Sequence, residues 1–203
     1  MGKELSSPKA VHLLIFNGFA DWEPALALAE LRRSGNLKVV TVGFTSKPAT
    51  SMGGLRVLPD VILELLNPTN IRLFMLPGGD MWESGDYPRQ QLESLLRTLH
   101  DQSIPIAGIC GATLALARAG LLNDRAHTSN FRDFLTKLVP EYQGGNHYRD
   151  VLAVRDRRVI TASGLGATEF AREVLAELGV LDDNIRELWF QTFKTGKFLL
   201  PTE

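Results

Sequence analysis

The sequence predicts an α/β fold, a three-layer α/β/α sandwich on a mainly parallel sheet, and three observations carry that prediction. Short apolar runs of strand length alternate with longer amphipathic runs along most of the chain. The first apolar run, Val11 to Asn17, is nearly continuous, the pattern of a parallel strand covered on both faces. Three runs end in loops that lead toward helical patterns, at Asn17 to Glu23, Pro77 to Asp80 and Gly108 to Ala112, and sites in such sheets form outside the carboxyl ends of the strands. These three loops predict one site.

Each element follows in order. Asp21 to Arg33 reads as a helix, capped by Asp21, with Ala25, Leu26, Leu28, Ala29 and Leu31 on its apolar side and Gly35 ending it. Val39 to Phe44 is a second strand. Ala49 to Leu66 holds Gly53-Gly54 between short apolar alternations and predicts a small hairpin or excursion. Ile71 to Leu76 is a third strand, closed by Pro77-Gly78-Gly79-Asp80. Leu92 to His100 is helical, Ile104 to Ile109 is the next strand, and Thr113 to Leu122 is the helix that leaves it. Arg125 to Ser129 reads as a short strand and Phe131 to Val139 as a helix. Val151 to Ala162 predicts two strands around a tight turn, followed by a helix over Thr168 to Leu178. The last helix, Asp182 to Phe198, carries Ile185, Leu188, Trp189 and Phe193 on a face that is either core or interface.

Composition narrows the class. With 203 residues, 44% hydrophobic and 22% charged, the chain can bury one sizeable core, and no shift in composition marks a second. A single domain over residues 1–203 is expected. A net charge of -1 gives no electrostatic reason to expect nucleic acid or an anionic membrane as partner. The single cysteine cannot form an internal disulfide, which fits a reducing compartment. The start of the chain is polar and the Val11 to Phe16 run is too short for a signal or membrane segment, so a cytoplasmic protein is expected. No histidine or cysteine cluster has zinc-ligand spacing and no glycine-rich phosphate motif is present, so neither metal nor cofactor is expected.

The single cysteine is Cys110, in Ile106-Ala107-Gly108-Ile109-Cys110-Gly111-Ala112, where an apolar run breaks into an alanine-rich amphipathic one. A strand that reverses into a helix within a residue or two strains the residue at the apex and demands small neighbours, which Gly108, Gly111 and Ala112 supply. That is the form of a nucleophile elbow. A sulfur at the amino end of a helix favours the thiolate, so a lowered thiol pKa is expected. The competing reading is a small, buried, inert residue at a strand end.

Candidate partners lie in the other loops. Glu23, in the first turn of the first helix, is either an ordinary acidic helix start or a carboxyl held against the sulfur; desolvated there, its pKa rises and it can shuttle a proton. Gly78 and Gly79 offer backbone N–H groups that, with that of Gly111, would cradle an oxyanion, or else form a simple turn. His12 and His100 read as structural and His147 as loop. His127, beside Thr128, Ser129 and Asn130, is the histidine that could approach the sulfur as a base.

Taken together these pieces resemble the ThiJ/PfpI superfamily, flavodoxin-like relatives of the class I glutamine amidotransferases that include the parkinsonism-associated deglycase and the intracellular PfpI proteases. The resemblance rests on Gly18-Phe19-Ala20-Asp21-Trp22-Glu23, Leu76-Pro77-Gly78-Gly79-Asp80, the Cys110 segment, and Ile160-Thr161-Ala162-Ser163-Gly164, in the family's order. The small bacterial branch labelled type 1 glutamine amidotransferase-like is the nearest in pattern. The resemblance implies a flavodoxin-like fold, Cys110 as nucleophile, Glu23 as its partner carboxylate, and Gly79 with Gly111 as the backbone pocket. It also implies what is missing. The protease branch has a histidine directly after the cysteine, where this chain has Gly111, and amidotransferases need a late histidine that Thr161 to Glu169 does not supply. The deglycase branch places a histidine where this chain has Ser129 or Asn130, with His127 slightly early.

Two functions are therefore expected as alternatives. One is a cysteine enzyme of hydrolase or lyase type acting on a small electrophile, a reactive aldehyde or an isonitrile, with Glu23 as acid and base. The other is a non-catalytic sensor of oxidative stress in which peroxide oxidises Cys110 to sulfenic or sulfinic acid. Members of the superfamily are often dimers, which makes a homodimer the expected assembly.

Overall fold

The computed structural model describes residues 9–198; the polar first eight residues, read above as carrying no targeting signal, lie outside them. Strands β1 (Ala10–Ile15), β2 (Val39–Gly43), β6 (Ile71–Leu76), β7 (Ile106–Ile109) and β9 (Val159–Ala162) are parallel, joined by the short β5 (Val61–Ile62) and by β8 (Ala153–Asp156), which runs antiparallel to β9. They form a seven-stranded sheet of order β5-β2-β1-β6-β7-β9-β8. A separate hairpin, β3 (Ala49–Thr50) with β4 (Arg56–Val57), occupies the predicted excursion. All six residues of β1 are buried, which is why its sequence does not alternate.

The strand order reverses between β1 and β6. The chain moves one way along the sheet from β1 through α1 (Trp22–Arg33) to β2, and the other way from β6 through α2 (Met81–Ser84) and α3 (Arg89–Asp101) to β7. Right-handed crossovers taken in opposite directions put their helices on opposite faces. Accordingly α1 packs with α6 (Ala167–Leu178), and α6 with α7 (Asp183–Thr195), while α2, α3, α4 (Ala112–Arg118) and α5 (Arg132–Leu138) form the other layer. The buried side chains of both layers join in one apolar cluster around Leu14, Phe74, Met75, Ile106 and Ile109.

Three expectations change. Arg125 to Ser129 is not a strand: only His127 and Tyr148 form a bridge. Side chains satisfy this backbone instead, since Ala126 N–H donates to Asp156 Oδ2 at 2.8 Å and Thr128 N–H to Thr161 Oγ1 at 2.9 Å. Asp21 sits at the N-cap of α1 without capping it; its Oδ1 accepts from Gly53 N–H at 3.0 Å and ties the helix to the β3–β4 hairpin. The final helix divides its apolar residues, with Trp189 buried and Phe193 half exposed. Among the described residues no helix is long and apolar enough to cross a membrane.

Candidate active site

The reversal in strand order opens a crevice at the carboxyl ends of β1 and β6, and the loop after β7 adjoins it. Cys110 follows β7 directly and adopts φ 58, a left-handed conformation that is strained for a residue with a side chain. Hydrogen bonds hold it there. Its N–H donates to Ala162 O of β9 at 2.9 Å, and its carbonyl accepts from Thr113 Oγ1 at 2.7 Å. Thr113 Oγ1 in turn shares a hydrogen bond of 2.6 Å with Ser129 Oγ. A methyl group at Gly111 would stand 2.9 Å from Trp82 Cδ1, which accounts for the small residue after the cysteine.

Glu23 comes to the sulfur from the first turn of α1. It is only 1% exposed, its Oε2 accepts from Gly78 N–H at 2.5 Å, and its carboxyl lies beside Cys110, since a Cβ at Gly164 would meet both Cys110 Sγ at 3.0 Å and Glu23 Oε1 at 3.3 Å. Burial pushes its pKa above the ordinary carboxylate value, and the bonds from Gly78 and Cys110 offset only part of that rise. The structure thus places the Glu23 carboxyl in a buried setting near Cys110. The space is tight. A Cβ at Gly78 would lie 2.7 Å from Glu23 Oε2 and 2.8 Å from Cys110 Cβ, and one at Gly164 would lie 3.0 Å from Cys110 Sγ.

The thiol departs from expectation. Burial raises the Cys110 pKa, the neighbouring Glu23 charge raises it further, and donors from Asn130 and the Gly111 amide counter only in part. Placement at a helix start predicted the opposite direction. Desolvation and a facing carboxylate outweigh the two donors.

His127 is not brought to the sulfur. Its ring is fully buried, with Nδ1 2.8 Å from Arg125 O and Nε2 2.5 Å from the Tyr142 hydroxyl. The carbonyl requires Nδ1 to carry the proton, so Nε2 accepts from Tyr142. Edge-to-face packing on Tyr142 and Tyr148 fixes the ring further. Burial lowers the His127 pKa and raises that of Tyr142 to about 12, which keeps both neutral. With both nitrogens engaged, His127 is a structural residue.

The polar side chain that does reach the sulfur is Asn130. Its Nδ2 donates to Cys110 Sγ at 3.4 Å, and its Oδ1 accepts from Gly164 N–H at 3.0 Å. Sequence reading placed Ser129 or Asn130 opposite the family histidine but gave neither a role. Gly164 was read only as part of a motif.

The glycine cradle is also redistributed. Gly78 N–H serves Glu23, and Gly79 lies against Phe16, where an added Cβ would meet the ring at 2.5 Å. A neighbouring cleft of about 390 Å³ over the ends of β1 and β2 is lined by Phe16, Asn17, Phe44, Lys47 and Asp86, and does not include Cys110 or Glu23. Among the described residues no group of three or more acidic, histidine or cysteine side chains is placed to hold a metal.

Known proteins share this architecture. Residues 9–177 match the sequence profile of the DJ-1/PfpI family. An uncharacterized protease of Bacillus subtilis (strain 168), YoaZ, is 37% identical over 196 residues, 93% of this chain and 92% of its own. The glutathione-independent glyoxalase DJR-1.2 of Caenorhabditis elegans is 29% identical over 148 residues, 71% of this chain and 75% of its own. The crystal structure of a DJ-1 superfamily protein of Agrobacterium tumefaciens, 38% identical, superposes with a TM-score of 0.85 over 93% of this chain and 98% of that one. The match begins before β1 and ends within α6, so that it spans the sheet and all three loops of the site, and the chain belongs to the DJ-1/PfpI family.

Proposed function

We propose that this protein is a small cysteine-dependent enzyme acting on reactive 2-oxoaldehydes such as methylglyoxal. The observation that carries the reading is the buried Glu23 carboxyl, which accepts from the Gly78 amide and lies beside Cys110, both side chains meeting under Gly164. A raised carboxyl pKa suits a group that must both take and return a proton near neutral pH. The glyoxalase relative from Caenorhabditis elegans supports the substrate class.

In this mechanism the Glu23 carboxylate accepts the thiol proton as Sγ bonds to the aldehyde carbon, then returns it to the carbonyl oxygen, giving a neutral hemithioacetal. Glu23 next removes the proton from that carbon to give an enediolate and delivers it to the adjacent carbon, while the hemithioacetal hydroxyl proton passes to the adjacent oxygen, leaving a thioester on Cys110. Water cleaves the thioester, releasing a 2-hydroxy acid and restoring the thiol. Methylglyoxal and water thus yield lactate with no net oxidation and no cofactor.

Methylglyoxal loss and lactate formation by the purified protein test the reading. Wild type is expected to turn over, Cys110→Ala to be inactive, and Glu23→Gln to lose about 10²–10⁴-fold in kcat. Hydration of an alkyl isonitrile without lactate formation would replace the substrate class. No turnover of either compound, with stoichiometric oxidation of Cys110 by peroxide, would replace the enzyme with the sensor.

A further inference from the structure

We propose that Asn130 is the third functional residue of the site, a non-titrating donor that holds the Cys110 sulfur through its side-chain amide where an imidazole would otherwise act. Two contacts carry the assignment. Oδ1 accepts from Gly164 N–H at 3.0 Å, and Nδ2 donates to Sγ at 3.4 Å. Which end of an amide is oxygen follows from its hydrogen bonds, and here a backbone N–H, which can only donate, settles it. The NH₂ group must face the sulfur.

The consequence is a division of labour. A neutral amide donor stabilises a thiolate more than a thiol because the bond to the charged form is the stronger one. It cannot take the proton. Among the described residues, Glu23 from α1 is the charged side chain whose field acts on the sulfur, and the Asn130 amide is the side chain that donates to it. His127, which carries the imidazole nearest to Asn130 in sequence, is committed to Arg125 O and Tyr142. Proton transfer therefore passes through Glu23, while Asn130 limits how far the half-buried thiol is shifted from ionising. Asn130 also bridges two loops, since Gly164 packs over both Sγ and Glu23 Oε1. Its catalytic meaning rests on the function proposed above, whereas its effect on the sulfur does not.

Alkylation separates the two. Cys110 is the only cysteine, so the rate of iodoacetamide modification against pH reports its ionisation without any substrate. Asn130→Asp keeps an oxygen for Gly164 N–H and replaces the donor with a second carboxylate. It is expected to move the alkylation midpoint upward by at least about one pH unit, slowing modification about tenfold below the midpoint. Asn130→Ala is expected to move it in the same direction by less. In the wild type, the Asn130 side-chain amide resonances are expected to titrate with the thiol and to shift on alkylation, a readout that needs no variant to fold. An unmoved midpoint in a folded Asn130→Asp protein, or amide resonances indifferent to the thiol, would overturn the assignment. A shifted midpoint in a protein without methylglyoxal turnover would uphold Asn130 and reject the proposed substrate.

Discussion

Glu23 links the chemistry of the site to the stability of the fold. Burial raises its pKa in the folded chain above the ordinary value, so the folded state binds this proton more tightly than the unfolded state does. The stability from that protonation is complete below the unfolded pKa and is lost as pH rises through the folded one. Glu23→Gln, whose amide oxygen can still accept from Gly78 N–H, should therefore raise the melting temperature at neutral pH. A gain of about 2–4 °C accompanies each kcal/mol relieved, and the variant should lack this slope in melts taken across pH. Gly164 presents the opposite case. An added methyl 3.0 Å from Sγ and 3.3 Å from Glu23 Oε1 must displace the sulfur or the carboxyl. Gly164→Ala should slow both turnover and alkylation by at least about tenfold, measured against a melt that shows the fold retained.

At the scale of elements, the β7–α4 elbow and the 126–130 segment complete each other. Thr113 Oγ1 binds both Cys110 O and Ser129 Oγ; Cys110 O keeps the Thr113 backbone N–H at 3.2 Å, so Thr113→Val leaves the buried Ser129 hydroxyl without a partner inside the fold and should cost about 1–3 kcal/mol in chemical denaturation. The same segment explains a negative result to be expected. Gly111 follows Cys110 and His127 is engaged elsewhere, so Cys110-dependent cleavage of casein should be absent. Such cleavage would require an imidazole to reach the sulfur. The elbow was legible because an apolar strand, a lone cysteine and small neighbours are local signals, and Glu23 because strand-end loops converge in a parallel sheet. Asn130 was not, because its role depends on Gly164, thirty-four residues on, and no periodicity marks it. The error at His127 has the same origin: its partner Tyr142 and the irregular backbone around it are tertiary contacts. The short α2 was missed because one turn carries no repeat, although it seats Trp82 with Nε1 on Pro77 O at 2.8 Å.

Across the whole molecule, the reversal of strand order at β1 and β6 is what brings Glu23 from one helical layer to a cysteine whose helix lies in the other. Alternating apolar and amphipathic runs made this architecture readable, since crossover handedness leaves few ways to assemble them. What they could not show was the balance of burial against donors that sets the thiol's ionisation. The Cys110 thiol and the Glu23 carboxyl are expected to behave as one electrostatically coupled pair. The pH dependence of Cys110 alkylation in wild type and Glu23→Gln measures that coupling directly. A midpoint above that of an ordinary thiol in the wild type, falling when the carboxylate is replaced by an amide, is the predicted result; an unchanged or higher midpoint in Glu23→Gln would contradict it.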